Sequence, residues 1–203
     1  MGKFWYRFIN FLSQSIVLVF CRFRVFGQRN IPDSGGFIIA SNHQCYMDPM
    51  FLSAGMRQPI NFMARQELFT MNWFFGWFIS SINAFPLARR TFDSSGMREA
   101  LTRLAQGKAI LVFPEGTRTF DGKLMPLRPG LYMLAAKAKV PVVPTLIHGG
   151  YEVWPRQRKI PVPFKSVSVH YGVPLNIADF PTQDEFMKRL YNELLALQQS
   201  LLK

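Results

Sequence analysis

Short apolar runs alternate along this chain with longer stretches in which apolar residues recur every three or four positions. The runs FIIAS (37–41), INFMA (60–64), INAFPLA (82–88), AILVF (109–113), VVPTLI (142–147) and SVSVHYG (166–172) have the length and composition of strands. Between them, MREALTRLAQ (97–106) predicts a helix closed by Gly107, and GLYMLAAKA (130–138) predicts another. A last helix opens at the capping box Thr182-Gln-Asp-Glu185 and sets Phe186, Leu190, Leu194, Leu197 and Leu201 on one face. Such alternation implies a single α/β domain with a mixed, largely parallel sheet flanked by helices. Chemistry in such sheets collects in the loops at strand C-terminal ends.

Two stretches are more apolar than a core requires. Residues 1–26 carry Lys3, Arg7, Arg22 and Arg24, no acid, and 14 uncharged residues between Arg7 and Arg22. A spanning helix needs about 20 predominantly apolar residues, and no small-residue cleavage site follows. The segment therefore reads as an in-plane or partly sunken membrane-associating helix, with Trp5 and Tyr6 at the interface and the main domain occupying 27–203. The second stretch, residues 68–88, holds no charge across 21 positions but is broken by Asn72, Ser80, Ser81, Asn83 and Pro86. It predicts a helix, with Trp73, Phe74, Phe75 and Trp77 meeting lipid or an acyl chain, and then a short strand.

Charge sharpens this picture. Twenty-four basic residues against 12 acidic ones give a formal charge of +12, a surface that attracts phosphate in some form. Zinc-finger spacing, RNA-binding aromatic motifs and dense basic blocks are all lacking, so nucleic acid is not indicated. Basic residues scattered through apolar sequence favour a membrane surface instead. The two cysteines, Cys21 and Cys45, fit no metal or redox spacing and imply no disulfide framework.

Candidate chemistry follows two strands. In SNHQCYMDP (41–49), His43 and Asp48 are five residues apart. They are a general base with its orienting carboxylate, or Asp48 only caps the helix that Pro49 begins and His43 is a loop residue. Zinc ligation by His43, Cys45 and Asp48 is a poorer reading, because His148 and His170 fall on strands. In FPEGTRTFDG (113–122), Gly116 lets backbone approach a ligand and the Arg118 guanidinium offers a fork suited to phosphate. A local Glu115–Arg118 salt bridge is the structural alternative. Arg89 and Arg128 sit beside these motifs and could complete a phosphate clamp. The chain has no phosphate-binding P-loop, dinucleotide fingerprint or serine elbow. A base without a protein nucleophile suggests direct attack by a substrate hydroxyl.

Together these residues resemble the glycerolipid acyltransferases, most closely the bacterial 1-acyl-sn-glycerol-3-phosphate (lysophosphatidic acid) acyltransferases. Four ordered blocks have counterparts here: Asn42-His43 through Asp48, Ala84 through Arg89, Phe113-Pro-Glu-Gly-Thr-Arg118, and Val140-Pro-Val-Val-Pro144. Cys45 stands where serine is common in the family, Arg128 where lysine is usual, and Arg90 rivals Arg89 for one role. The resemblance implies acyl transfer from an acyl-carrier-protein or coenzyme A thioester to the sn-2 hydroxyl of lysophosphatidic acid, with no cofactor and no covalent acyl-enzyme. It implies His43 and Asp48 as the catalytic pair. Arg89, Glu115, Gly116, Thr117, Arg118 and Arg128 are the implied substrate-binding residues, with backbone amides near Gly116 stabilising the oxyanion. The implied location is the cytoplasmic face of a bacterial membrane. Other lysolipids or glycerol 3-phosphate are alternative acceptors, and a non-catalytic protein binding anionic lipid is the rival from another class.

Overall fold

The computed structural model describes residues 11–12, 15, 17, 19–56, 58–87 and 94–201. Its seven strands are β1 (Cys21–Phe26), β2 (Phe37–Ser41), β3 (Ile60–Arg65), β4 (Ala84–Leu87), β5 (Ala109–Val112), β6 (Val142–His148) and β7 (Lys165–Tyr171). The helices are α1 (Asp48–Ala54), α2 (Glu67–Thr70), α3 (Trp73–Ser81), α4 (Ser94–Ala105), α5 (Gly130–Ala138), α6 (Gly150–Val153) and α7 (Gln183–Gln199). All strands join one sheet in the order β1-β7-β6-β2-β5-β3-β4. From β6 to β4 every pairing is parallel, β7 runs antiparallel to β6, and β1 is parallel to β7.

Burial explains why β2 is central. Its five residues are all buried, the signature of a strand covered on both faces. Phe37 and Ile39 face a core with Phe51 and Leu52 of α1, while Ile38 and Ala40 face one with Leu104, Leu134, Phe186 and Leu190 from α4, α5 and α7. The Thr182 half of the capping box forms: Thr182 Oγ1 accepts from the Glu185 N–H at 3.3 Å. Gly107 closes α4 with φ +76 and donates to Leu104 O.

Two expectations need correction. The helical reading of residues 1–26 fails for its last six, which are β1. Arg22, Arg24 and Phe26 alternate outward with Phe23 and Val25 inward, a period of two that the basic residues disguised. Residues 11, 12, 15, 17, 19 and 20 are helical and Val17 is buried in the core, while 1–10 lie outside the described residues. The fourth strand begins at Ala84 rather than Ile82, because Asn83 adopts φ +66 and turns the chain out of α3. Among the described residues no helix is long and apolar enough to cross a membrane.

Candidate active site

The chain leaves β2 through a side-chain clasp. Asn42 Nδ2 donates to Ile147 O at 2.9 Å and Asn42 Oδ1 accepts from Ile147 N at 2.7 Å, so its amide continues the β2–β6 pairing for one more step. That fixes the point from which residues 43–47 turn into α1. Asp48 is the first residue of α1 and Met47 caps it, so Asp48 does not cap as the sequence suggested. Its fully buried carboxylate reaches back instead. Oδ2 lies 2.7 Å from His43 Nδ1 and accepts from the N–H groups of Gln44 (2.6 Å) and Cys45 (2.9 Å), and Oδ1 lies 3.2 Å from Cys45 Sγ.

This arrangement makes His43 and Asp48 a hydrogen-bonded pair rather than a separate loop histidine and helix cap. Three donors converge on one carboxylate oxygen, which satisfies the buried charge. With Nδ1 directed at Asp48, Nε2 is the nitrogen left for a ligand. The ring lies on Phe113 with centroids 3.9 Å apart and planes 11° apart, while 20% of the side chain stays exposed. Imidazole, carboxylate and aromatic support come from β2, α1 and the end of β5, and they meet at the C-terminal edge of the parallel strands.

The 113–118 turn closes onto the same loop. Glu115 Oε1 accepts from the His43 N–H at 3.2 Å, and the Thr119 N–H donates to His43 O at 2.8 Å. Glu115 and Arg118 do not bond each other: Glu115 Oε2 and Arg118 Nη1 are both buried without a hydrogen-bond partner among the described residues. The guanidinium of Arg118 lies over the Tyr46 ring, 3.5 Å from its centroid. Burial pushes the Glu115 carboxyl up to about 8, with the Asp48 charge adding to the rise against the opposing His43 N–H. Gly116 has φ +74, and a Cβ there would sit 2.9 Å from Arg128 Nε, so Arg128 lies directly against the turn. The Gly116 N–H donates to Phe113 O within the turn, which removes that amide from an oxyanion site. Arg89 and Arg90 lie outside the described residues.

The "Acyltransferase" family profile matches residues 22–148. The chain belongs to the acyltransferase family. It is 32% identical over 161 residues to the 1-acyl-sn-glycerol-3-phosphate acyltransferase of Bacillus subtilis, covering 77% of this chain and 75% of that protein. The Pseudomonas aeruginosa protein of the same name is 33% identical over 160 residues, covering 75% of this chain and 58% of that one. The crystal structure of the 1-acyl-sn-glycerophosphate (LPA) acyltransferase PlsC from Thermotoga maritima superposes with a TM-score of 0.84 at 28% identity. It covers 97% of this chain and 79% of that one. The matched region contains His43, Asp48 and the whole 113–118 turn.

Several supports of the site in this acyltransferase were not legible from its motifs. Gln44 ties three segments together, accepting from the Tyr151 N–H at 3.2 Å and donating to Gly122 O at 3.3 Å. Gly150, at the start of α6, passes so close that a Cβ would lie 3.1 Å from Asp48 Oδ1 and from Gln44 Oε1. Arg156 donates to Thr117 Oγ1 at 3.3 Å and lies over the Phe120 ring, bracing the 113–122 loop from outside the matched region. Only Cys45, a departure from the serine common in the family, carried a signal in the sequence. Its thiol is raised well above the ordinary value by burial and then by Asp48, which keeps it protonated and unsuited to nucleophilic attack.

Proposed function

We propose that this protein transfers a fatty acyl group from an acyl-carrier-protein or coenzyme A thioester to the sn-2 hydroxyl of lysophosphatidic acid, forming phosphatidic acid. The 2.7 Å contact between His43 Nδ1 and the buried Asp48 carboxylate carries the reading, because it fixes the tautomer whose Nε2 accepts a proton. Nε2 takes the proton of the attacking hydroxyl while that oxygen bonds to the thioester carbonyl carbon. Collapse of the tetrahedral intermediate breaks the C–S bond, and the imidazolium returns its proton to the leaving thiolate. Asp48 stabilises the imidazolium throughout. No acyl-enzyme forms, since the hydroxyl attacks directly.

The acceptor phosphate is held by Arg118, whose Nη1 has no hydrogen-bond partner among the described residues, by Arg128 against Gly116, and by Arg89. Arg156 and Thr117 hold the loop that presents Arg118. Glu115 anchors the two loops to each other. Binding the acceptor through its phosphate leaves the hydroxyl to be oriented toward Nε2, the positioning on which the rate depends.

The test is acyl transfer by the purified chain in detergent, offering lysophosphatidic acid with each thioester in parallel. Phosphatidic acid formation that falls by about 10²- to 10⁴-fold in His43→Ala supports the assignment. Product from other lysolipids alone overturns the acceptor. Lipid binding without transfer to any acceptor overturns the reaction.

A further inference from the structure

The sheet topology gathers exposed apolar residues on the edge that carries the site. β2, β3, β5 and β6 all end at that edge, and because β7 runs against β6 with β1 parallel to it, β1 and β7 start there. Lys165 pairs with Cys21, and Ser168 already lies opposite His148, so Phe164 and Phe20 lie beyond the end of β6. Both are exposed, and the Phe164 N–H donates to Phe20 O at 2.5 Å. On the other flank of β2, the chain leaving β3 presents Trp73, 81% exposed, and Phe74 at the start of α3. His43 lies between the two aromatic flanks.

Residues 155–165 join the first flank. They contain Arg156, Arg158, Lys159 and Lys165, and no acid occurs between Glu152 and Asp179. Ile160 and Phe164 are exposed among these charges. The segment is held in place: Val162 N donates to Val153 O at 2.7 Å, Arg158 N to Pro155 O at 3.0 Å, and Trp154 Nε1 to Arg158 O at 3.1 Å. Phe164 is 69% exposed in the left-handed region, with φ +62. That conformation is unfavourable for a bulky residue, and burial of the ring within this chain does not offset it.

We propose that residues 155–165, with Phe20 at their end, seat the protein on an anionic lipid bilayer and act as the second footing opposite Trp73 and Phe74. The proposal rests on the reading that the acceptor is a lipid. Charge selects the partner: a basic segment interleaved with apolar side chains matches acidic headgroups above acyl chains. Continuity supports it, since exposed Val19 and Phe20 at the end of the N-terminal helical residues extend the same patch. Two footings astride His43 turn the site toward the leaflet that holds a lysolipid acceptor and takes up a two-chain product.

The experiment is co-sedimentation of the full chain with phosphatidylcholine vesicles, with and without phosphatidylglycerol. The variants are Phe164→Gly and the triple change Arg158→Gln/Lys159→Gln/Lys165→Gln. Each basic residue near an anionic surface contributes about 1 kcal/mol, so the triple variant loses on the order of a hundredfold in binding to anionic vesicles. Phe164→Gly loses about tenfold while its Tm holds or rises, because glycine suits the left-handed position and the ring's transfer into lipid is lost. Acyl transfer in detergent stays at the parent rate in both, which separates this proposal from the assignment of the reaction. Unchanged binding to anionic vesicles in the triple variant overturns it. So does parental vesicle binding combined with a selective loss of transfer from the carrier-protein thioester, which would assign the surface to that acidic protein.

Discussion

The backbone N–H of His43 donates to Glu115 Oε1 at 3.2 Å, so the loop that carries His43 and the loop that carries Arg118 are joined through a carboxyl group. The other oxygen of that group, Oε2, is buried without a hydrogen-bond partner among the described residues, and burial holds the carboxyl at about 8. Glu115 is therefore mostly protonated at neutral pH, and its structural value lies in Oε1 as an acceptor rather than in a negative charge.

Glu115→Gln keeps that acceptor and retains most acyl transfer at pH 7. Glu115→Ala leaves the His43 N–H unpaired, costs about 1–3 kcal/mol and lowers the rate. The stability change has a defined sign. With the folded value raised from 4.5 to about 8, the Glu115 contribution is fully present below pH about 4.5 and is lost as pH rises through about 8. Thermal unfolding of parent and Glu115→Gln across that range should show the variant gaining on the parent as pH increases. A constant difference would contradict a protonated Glu115.

Cys45 places its sulfur 3.2 Å from Asp48 Oδ1, on the opposite side of the carboxylate from His43. A hydroxyl donor can replace the thiol, and a methyl group cannot. Cys45→Ser should stay within about threefold of the parent and Cys45→Ala should lose roughly tenfold in kcat, the scale of one hydrogen bond to a charged group. The KM for both substrates should hold. The buried thiol, raised well above its ordinary value, should resist alkylation of the native protein at neutral pH.

Alanine at two glycines should separate effects on the base from effects on the turn. A Cβ at Gly150 meets Asp48 Oδ1 and Gln44 Oε1 at 3.1 Å, so Gly150→Ala presses on the carboxylate that orients His43. We expect kcat to fall about tenfold or more, since small displacements of a catalytic group are costly. At Gly116 the contact is with Arg128 Nε, on a flexible side chain, but φ is +74. Gly116→Ala should lose about 1–2 kcal/mol of stability from that backbone conformation and affect KM for the acceptor before kcat. Steady-state kinetics beside thermal melts check both.

Arg118 lies over the Tyr46 ring, with Nη1 unpartnered among the described residues. Lysine there has neither the planar fork nor the stacking face. Arg118→Lys should raise KM for lysophosphatidic acid at least about tenfold with a smaller change in kcat. Tyr46→Phe should be near neutral because the ring remains, and Tyr46→Ala should behave like a milder Arg118→Lys. Equal kinetics for parent and Arg118→Lys would remove Arg118 from the phosphate site.

The acyl-transfer motifs and most of the fold follow from short-range pattern. The β2, β5 and β6 runs are apolar because both sheet faces are covered, and α5 and the capped start of α7 follow from helical periodicity and local hydrogen bonding. The five-residue spacing of His43 and Asp48 was legible for the same reason, since one turn of chain entering α1 brings them together. β1 was hidden because its Arg22/Arg24 alternation reads equally as the basic flank of an apolar helix, and only pairing with β7, more than a hundred residues away, selects the strand. Tertiary structure alone decided that Glu115 bonds the His43 backbone instead of Arg118, that Gln44 and Gly150 pack against the Asp48 loop, and that Arg156 braces Thr117. Those contacts join residues distant in sequence, and spacing along the chain carries no record of which buried polar atoms long-range packing leaves paired.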